Sequence, residues 1–279
     1  SNDYEYIVRG EMAGAVYMSI TAEEGTADGS LGSNTAGVLN NTQFDVDKDG
    51  RFELFIGGKP RMRNWLALSD KASAVTTRHY FEEKICVAAD RNREPVITIE
   101  AIGLKEASDT FTDASVAKGI RRAAEFVRSR TIGQPPMSQA KQPDFVGLVP
   151  NNFPIPALPA DLGLAAADAH YSMAPYYLAD DEALIMTGRW PTCCFANVCL
   201  WNRFQQTFDY RNRQVSLNRT QTELESDGSF RIVLAHQDPG CKNWIETEGR
   251  NLGLVFWRFM LAEGKIAAPQ GEVVKFADL

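Results

Sequence analysis

One stretch of this 279-residue sequence occurs twice, and the repetition limits the folds that the chain can adopt. Residues 49–56 are DGRFELFI, and residues 227–234, which begin 178 positions later (227 minus 49), are DGSFRIVL. Three further matches keep the same order at nearly the same offset: LNNTQ (39–43) with LNRTQ (217–221), Gly10 with Gly188, and NWL (64–66) with NWI (243–245). Four ordered matches predict a duplication of one β-rich unit.

The first copy of the repeat lies within DVDKDGRFE, residues 45–53, which looks like the start of a calcium loop. An EF-hand loop needs a glutamate at its twelfth position, and counting from Asp45 that position is Ile56. Both copies share Asp-Gly, which suits a tight two-residue hairpin turn. We therefore expect a turn, while calcium-dependent carbohydrate binding through Asp45, Asp47 and Asp49 stays open as a third hypothesis.

The apolar pattern predicts a mainly β chain with two related jelly-roll or β-sandwich modules. After each Asp-Gly turn, apolar residues alternate as in a half-buried strand. Residues 104–131 differ, because apolar residues at helical spacing predict an amphipathic helix there, with Asp113 as its N-cap. The apolar positions of that helix are Val116, Ile120, Ala123 and Val127.

A proline-rich stretch follows the predicted helix, with seven prolines between residues 133 and 159. It predicts an extended connector that wraps a surface or lines a site, and a short helical piece near 160–169 is expected after it. The predicted domains are a first β-sandwich module at 1–103, an inserted helical and Pro-rich connector at 104–179, and a second β-sandwich module at 180–279.

Composition excludes several classes of function. The formal net charge of −7 disfavours a general nucleic-acid binder, which needs a basic face. No run of about 18 uninterrupted apolar residues is present, so no membrane span is expected. The five cysteines form no CxxC pair, which indicates free thiols in a reducing, cytoplasmic compartment rather than a zinc site. No Walker loop, GxGxxG, GxSxG or HExxH motif occurs, so no cofactor is predicted.

The chain opens almost directly inside a strand-like run, YEYIVRG. We therefore expect the natural protein to have further residues upstream. Because a signal segment would lie in such an upstream region, its absence from these residues says little about compartment.

The second copy carries an ordered set of motifs: DDEALIMTGRWP, NVCLWNRFQQTFDYRNRQVSLNRTQ, DGSFRIVLAHQDPGCKNWIETEGRNLG and FWRF. Through them, residues 180–275 resemble the family catalogued as domain of unknown function 1214, and DPG followed by NW and G is the most specific part. The resemblance implies a β-sandwich or jelly-roll fold and no settled activity. It also implies a bacterial protein, since members are often encoded in bacteria that degrade steroids and other apolar compounds.

A candidate catalytic pair, His236 and Asp238, lies in AHQDPGCKNW at residues 235–244. Histidine suits acid–base chemistry near neutral pH, and a neighbouring carboxylate can orient its ring. The alternative is that Asp238 caps the turn and His236 is a surface residue. The first copy has GGKPRMRNW here, with neither a histidine nor an acid, so this pair is special to the second copy, whereas the shared Asn-Trp indicates an architectural role.

Aromatic residues interleaved with arginines suit stacking on sugars or planar ligands and the capture of anions. The alternative is a strand with buried aromatics and exposed arginines. Arg189 can hold a carboxylate, either that of a substrate or that of Asp209, and the internal ion pair is the favoured alternative. The candidate ligand-binding residues are Arg189, Trp201, Arg203, Tyr210, Asn243 and Trp244.

The histidines His79, His170 and His236 are too far apart in sequence for one element to present two of them, so no metal site is predicted. Two functions from different classes fit the sequence. The first is binding of, or action on, a partly apolar or saccharide-like small molecule at a concave sheet face. The alternative is a structural protein that forms a homo-oligomer through its jelly-roll modules, without catalysis. A deep pocket with His236 beside Arg189 or an aromatic wall favours the first.

Overall fold

A computed structural model of the chain describes residues 3–30, 32, 34–103, 111–134, 142–159 and 165–279. The fold is mainly β, with several sheets and one α-helix among the described residues, which confirms the predicted fold class. Two compact units are present: the first comprises Ser1–His79, Pro95–Lys141 and Asp161–Ala165, and the second comprises Tyr80–Glu94, Gln142–Ala160 and Ala166–Leu279. Residues 80–94, which the sequence analysis places in the first module, pack with the second unit.

The first unit contains two sheets that enclose an apolar core. The strands are β1 (Glu5–Glu11), β2 (Tyr17–Glu24), β3 (Thr35–Asn40), β4 (Arg51–Gly57), β5 (Trp65–Leu66), β6 (Ala72–Tyr80) and β7 (Ile97–Ile102). One sheet has the order β5-β4-β1-β7 and the other β3-β2-β6. Alternate residues of β4, namely Phe52, Leu54 and Ile56, are buried between them, as the alternation of the sequence predicts.

Helix α1 (Asp113–Arg130) forms where helical spacing predicts it. Its N-cap is Thr112 rather than the predicted Asp113, since the Thr112 hydroxyl accepts a hydrogen bond from the Ser115 amide at 3.2 Å and the Ser115 hydroxyl accepts one from the Thr112 amide. Asp113 lies in the first turn instead, where its charge complements the helix dipole. In the part of the chain that the structure describes, no helix is long and apolar enough to cross a membrane.

The second unit contains eight strands in two sheets. They are β8 (Ala169–Tyr177), β9 (Glu182–Gly188), β10 (Phe195–Trp201), β11 (Ser216–Asn218), β12 (Phe230–Ala235), β13 (Trp244–Glu246), β14 (Leu252–Met260) and β15 (Gln270–Lys275). The sheet orders are β13-β12-β9-β15 and β11-β10-β14-β8. Trp257 is fully buried at the centre of the core, stacked on Phe230 with 5.3 Å between ring centroids.

The two units use the same strand order in one sheet, because β5-β4-β1-β7 corresponds position by position to β13-β12-β9-β15. The register also corresponds: Gly10 is opposite Phe52 and Gly188 is opposite Phe230. A Cβ atom on either glycine would lie 2.7 Å from the partner phenyl ring, so each ring occupies the space that a side chain would need. The sequence repeat is thus matched by a repeat of structure.

The repeated Asp-Gly forms a turn at the start of β4 and of β12, but the turn has three residues rather than the predicted two. The Asp47 amide donates to the Arg51 carbonyl at 2.8 Å, and the Glu225 amide donates to the Ser229 carbonyl at 2.8 Å. The third turn residue is a glycine with positive φ, 79° at Gly50 and 80° at Gly228. This is a type I turn extended by one left-handed residue.

Strand β8 lies within the predicted connector and is an edge strand of its sheet, where Pro175 is tolerated because one side needs no sheet partner. The proline-rich segment runs along that side: Val146 bridges to Met173, and Ala157 bridges to Tyr171. Pro135, Pro136 and residues 160–164 of the expected short helix lie outside the described residues, and residues 165–168 are not helical.

Candidate functional site

A cavity of about 590 Å³ opens at one end of the β13-β12-β9-β15 sheet of the second unit. Three strand ends meet there because β9 is antiparallel to both its neighbours: Ala235 pairs with Ala183, and Lys275 pairs with Glu182. The residues at the start of β9 and those just after β12 and β15 therefore lie together at one edge of the sheet, around the cavity. The lining residues are Asp180, Asp181, Glu182, His236, Gln237, Lys275, Phe276, Ala277 and Asp278.

Of the two predicted catalytic residues, His236 lines this cavity and Asp238 does not. One nitrogen of the His236 ring is held by a hydrogen bond. Its Nδ1 lies 2.5 Å from the hydroxyl oxygen of Thr247, a residue with no exposed surface. The Thr247 amide donates in turn to the Ala235 carbonyl at 3.2 Å. The Nε2 atom is buried and has no hydrogen-bond partner among the described residues. Such an atom costs about 1–3 kcal/mol unless a ligand pairs with it.

The segment that carries Thr247 is fixed by ion pairs on both sides. Glu246 pairs with Arg213, and Glu248 pairs with Arg250. Thr247 is therefore a positioning residue for the imidazole rather than a nucleophile, because Thr247 does not line the cavity whereas His236 does.

The cavity is predominantly acidic, with one lysine among four carboxylates. The Lys275 ammonium lies 3.0 Å from Asp181 and 3.4 Å from Glu182. The hydrogen bond from Lys275 lowers the pKa of Asp181, and the same bond raises the pKa of Lys275. Asp180 accepts a hydrogen bond from the Asn251 amide group at 2.8 Å. Phe276 lines the same cavity.

Asp238 does not orient His236. Its side chain is exposed, and one carboxylate oxygen accepts a hydrogen bond from the Gly240 amide at 2.8 Å. That contact is the turn-capping alternative of the sequence analysis. The structure thus replaces the predicted His–Asp pair by a His–Thr pair, which links residues 11 positions apart.

Arg189 lies far from His236, since the two residues flank opposite ends of the β9–β12 pair. Six paired residues separate those ends, about 20 Å along the strands. The Arg189 guanidinium pairs with the Asp227 carboxylate at 2.7 Å, in the repeated turn. The internal ion pair therefore forms, but its partner is not Asp209, which accepts hydrogen bonds from Asn212 instead.

Asn243 and Trp244 use their polar atoms to hold the sheet together. The Asn243 side-chain amide donates to the carbonyls of Glu223 and Arg231, and the Trp244 indole donates to the Ala235 carbonyl at 3.2 Å. The first unit repeats the last contact, since the Trp65 indole donates to the Gly57 carbonyl at 2.7 Å. These contacts support the architectural interpretation of Asn-Trp.

The remaining predicted ligand-binding residues belong to β10 and the loop after it, and none of them lines the cavity. Trp201 stacks on Phe256 with 4.3 Å between ring centroids. Tyr210 packs against the core of the second unit, and Arg203 is exposed on the loop. The structure therefore distributes the predicted aromatic and arginine residues over several places rather than one site.

Sequence reasoning missed Lys275, Asp181 and Phe276. They flank strand ends more than 90 positions apart in sequence, and only the β9–β15 register brings them together. The sequence feature that could have pointed to this site is the acidic run Asp180–Asp181–Glu182, which lies immediately before a predicted strand.

In the described ranges, no three His, Cys, Asp or Glu side chains are grouped so as to hold a metal ion. At the Asp-rich turn, Asp45 pairs with Arg63 at 2.8 Å, and one Asp47 oxygen accepts hydrogen bonds from the amides of Asp49 and Arg51. These two carboxylates act within the turn and its surroundings, which leaves the calcium hypothesis without structural support.

No disulfide bond joins the cysteines in the described part of the chain. Burial raises the pKa of Cys193 to about 11, so this thiol is a poor nucleophile at neutral pH. Cys199 is buried in the sheet, and burial also raises its pKa.

Comparison with known proteins gives relatives of unassigned function. The structure of an uncharacterised protein from Burkholderia cenocepacia superposes with a TM-score of 0.80 and 26% sequence identity, covering 100% of this chain and 75% of that chain. The VPA0106 protein from Vibrio parahaemolyticus superposes with a TM-score of 0.54 and 10% identity, covering 97% of this chain and 86% of that chain, which indicates a shared fold only. No curated protein matches the sequence.

The family model described as protein of unknown function (DUF1214) matches residues 196–262. This segment runs from β10 to the end of β14 and includes His236, Thr247 and the motif DPG–NW–G quoted above. Residues 196–262 are therefore similar to this family, and the predicted family resemblance is confirmed there.

Proposed function

We propose that the chain binds a small polyhydroxylated, saccharide-like ligand in the His236 cavity. The observation that carries the proposal is the buried Nε2 atom of His236, which has no partner among the described residues and belongs to a residue that lines the cavity. The volume of about 590 Å³ falls within the range of ligand sites, about 300–1,000 Å³.

The lining favours hydroxyl groups over a purely apolar ligand. Carboxylates accept hydrogen bonds from hydroxyls, the Lys275 ammonium donates to them, and a neutral imidazole does either. Phe276 adds an apolar surface on which the C–H face of a sugar ring can pack. A steroid would displace water from these charged groups and offer few hydroxyls in its place, which is unfavourable.

The site belongs to the second copy of a duplicated unit, and this duplication is part of the proposal. Matching strand order, the Gly10–Phe52 and Gly188–Phe230 pairs and the shared positive-φ glycine support a common origin. Binding then arose where the second copy diverged, after β12.

Ligand-induced thermal stabilisation tests the proposal. Glucose, galactose, maltose and sucrose serve as probes, with cholate as the steroid-like comparison. At least one saccharide is expected to raise the melting temperature, and His236→Gln or Lys275→Gln is expected to weaken its binding at least about tenfold, as loss of a charge-assisted or buried hydrogen bond does.

His170→Gln and Lys265→Gln are the matched controls, because neither residue lines the cavity. They are expected to bind like the wild type. Stabilisation by cholate alone, or equal binding in His236→Gln, would refute the saccharide site. Absence of any ligand effect together with a stable homo-oligomer in sedimentation would favour the structural alternative.

A further inference from the structure

Helix α1 contacts its own unit through a polar side. The Arg122 guanidinium donates to the Thr26 carbonyl at 3.2 Å and to the Ala27 carbonyl at 2.7 Å. The backbone at Gly29 packs closely against the helix, since a Cβ atom on this glycine would lie 2.7 Å from the Cα atom of Arg122. Glu125 and Ser129, which share this side of the helix, are half-buried.

The apolar side of the helix points elsewhere. At about 100° per residue, Val116, Ile120, Ala123 and Val127 fall within an arc of about 60°, and the centre of this arc lies roughly 130° around the helix from Arg122. Ile120 is 65% exposed and Val127 is 58% exposed, and no residue of the helix is buried. A helix that packs on a core shows the opposite arrangement. The described residues of the unit therefore leave this apolar stripe uncovered.

The net charge of helix α1 indicates which kind of partner its apolar stripe suits. Five basic and two acidic residues give the helix a net charge of +3, although the whole chain has a net charge of −7. Arg128 and Arg121 are exposed and lie about 110° and 130° from the centre of the stripe on one side, and Arg130 lies about 50° from it on the other. Two copies of this helix would repel each other, so self-association through it is disfavoured.

We propose that helix α1 docks flat on an anionic lipid surface, with Val116, Ile120 and Val127 at the acyl boundary and the arginines among the headgroups. An apolar stripe on a helix whose polar side is basic is the arrangement of an interfacial helix. Long arginine side chains can reach the phosphates while their stems cover apolar surface. Phe111 and Ile132, just outside the two helix ends, are exposed as well. An acidic protein groove would use the same charges, and the lipid test below separates the two.

Co-sedimentation of the full chain with vesicles tests this docking. Equimolar phosphatidylcholine and phosphatidylserine vesicles are expected to bind the wild type, whereas phosphatidylcholine alone binds it weakly. Arg121→Gln with Arg128→Gln is expected to lower the binding on the order of twentyfold, since each basic residue near the surface contributes about 1 kcal/mol. Ile120→Glu with Val127→Glu is expected to abolish it.

The matched control is Met62→Glu with Leu224→Glu, which places the same added charge on two exposed apolar residues that are not part of the helix. This control is expected to bind more weakly than the wild type but clearly better than the Ile120→Glu, Val127→Glu variant. Unchanged thermal melting of all variants shows that they remain folded. Equal binding to both vesicle types, equal loss in the control, or no vesicle binding by the wild type would overturn the proposal, and the last result would point to an acidic protein partner.

Discussion

The ends of β4 and β12 occupy corresponding places in two sheets of the same order, and the end of β12 borders the His236 cavity. In the first unit this place is filled by a side chain from the following loop. Arg61 pairs with Glu5 at 2.6 Å and lies over the Phe55 ring at 3.7 Å from its centroid. In the second unit the corresponding loop contains Asp238-Pro239-Gly240 and no arginine.

The two places also differ in the residue that follows the strand, which is Gly58 after β4 and His236 after β12. A Cβ atom on Gly58 would lie 2.8 Å from the Glu5 side chain, besides straining a backbone with a φ of 64°. The comparison shows that a few loop residues set the local structure at corresponding places in two sheets of the same order.

The largest predicted effect concerns what the two units share. Phe52→Ala and Phe230→Ala each remove a buried ring that packs against a glycine, so each is expected to lower the free energy of unfolding by about 3–5 kcal/mol. Chemical denaturation measures both. Phe204→Ala, at an exposed ring, is the control and should change stability by less than about 0.5 kcal/mol. A small effect at either buried position would break the structural equivalence.

A smaller effect is expected at the repeated turn. Gly50→Ala and Gly228→Ala force a side chain into positive φ, which costs about 1–2 kcal/mol at each site. Gly119→Ala should have the opposite sign, about 0.5–1 kcal/mol more stable, because this helical glycine has open space around its Cα. Melting temperatures of the three variants check this order, and unequal costs at the two turns would contradict their equivalence.

The smallest predicted effect is a dependence of the free energy of unfolding on pH, which is expected for each unit. Burial lowers the pKa of His79 in the first unit, partly opposed by its hydrogen bond to the Glu11 carbonyl, and burial lowers the pKa of His170 in the second. The unfolded chain therefore binds more protons near these residues. Their contribution to stability is present above the unfolded value of about 6.5 and is lost as pH falls through the folded pKa.

Denaturation at pH 7 and pH 5 measures this dependence. His79→Gln and His170→Gln are each expected to lose less stability between the two pH values than the wild type does. A steeper loss in either variant would reverse the assigned sign.

Local patterns in the sequence predicted much of the fold. The repeated turn, the strand alternation and helix α1 each depend on neighbouring residues, so they were predicted to within a residue or two. The predictions were wrong where neighbouring residues can take the same role. Thr112 caps the helix in place of Asp113, and the repeated Asp-Gly turn contains one more residue, in the left-handed conformation, than predicted. Strand β8 was missed because Pro175 and the preceding prolines indicate a connector, whereas an edge strand tolerates them.

The site was less predictable because it depends on long-range register. His236 was singled out by the difference between the copies, but its partner Thr247 is brought to it by the parallel pairing of β12 with β13. Lys275 meets Asp181 and Glu182 only through β15. Arg189 suits anion binding by residue type, but the same turn that the sequence identified supplies its partner, Asp227.

Calorimetric titration with the most stabilising saccharide tests the central claim most directly, because it counts sites. One ligand per chain is expected, since the place equivalent to His236 in the first unit is filled by Arg61 and Glu5. The His236→Gln variant should show binding weakened at least about tenfold. Two equal sites per chain, or unaltered affinity in the variant, would contradict the assignment of binding to this cavity.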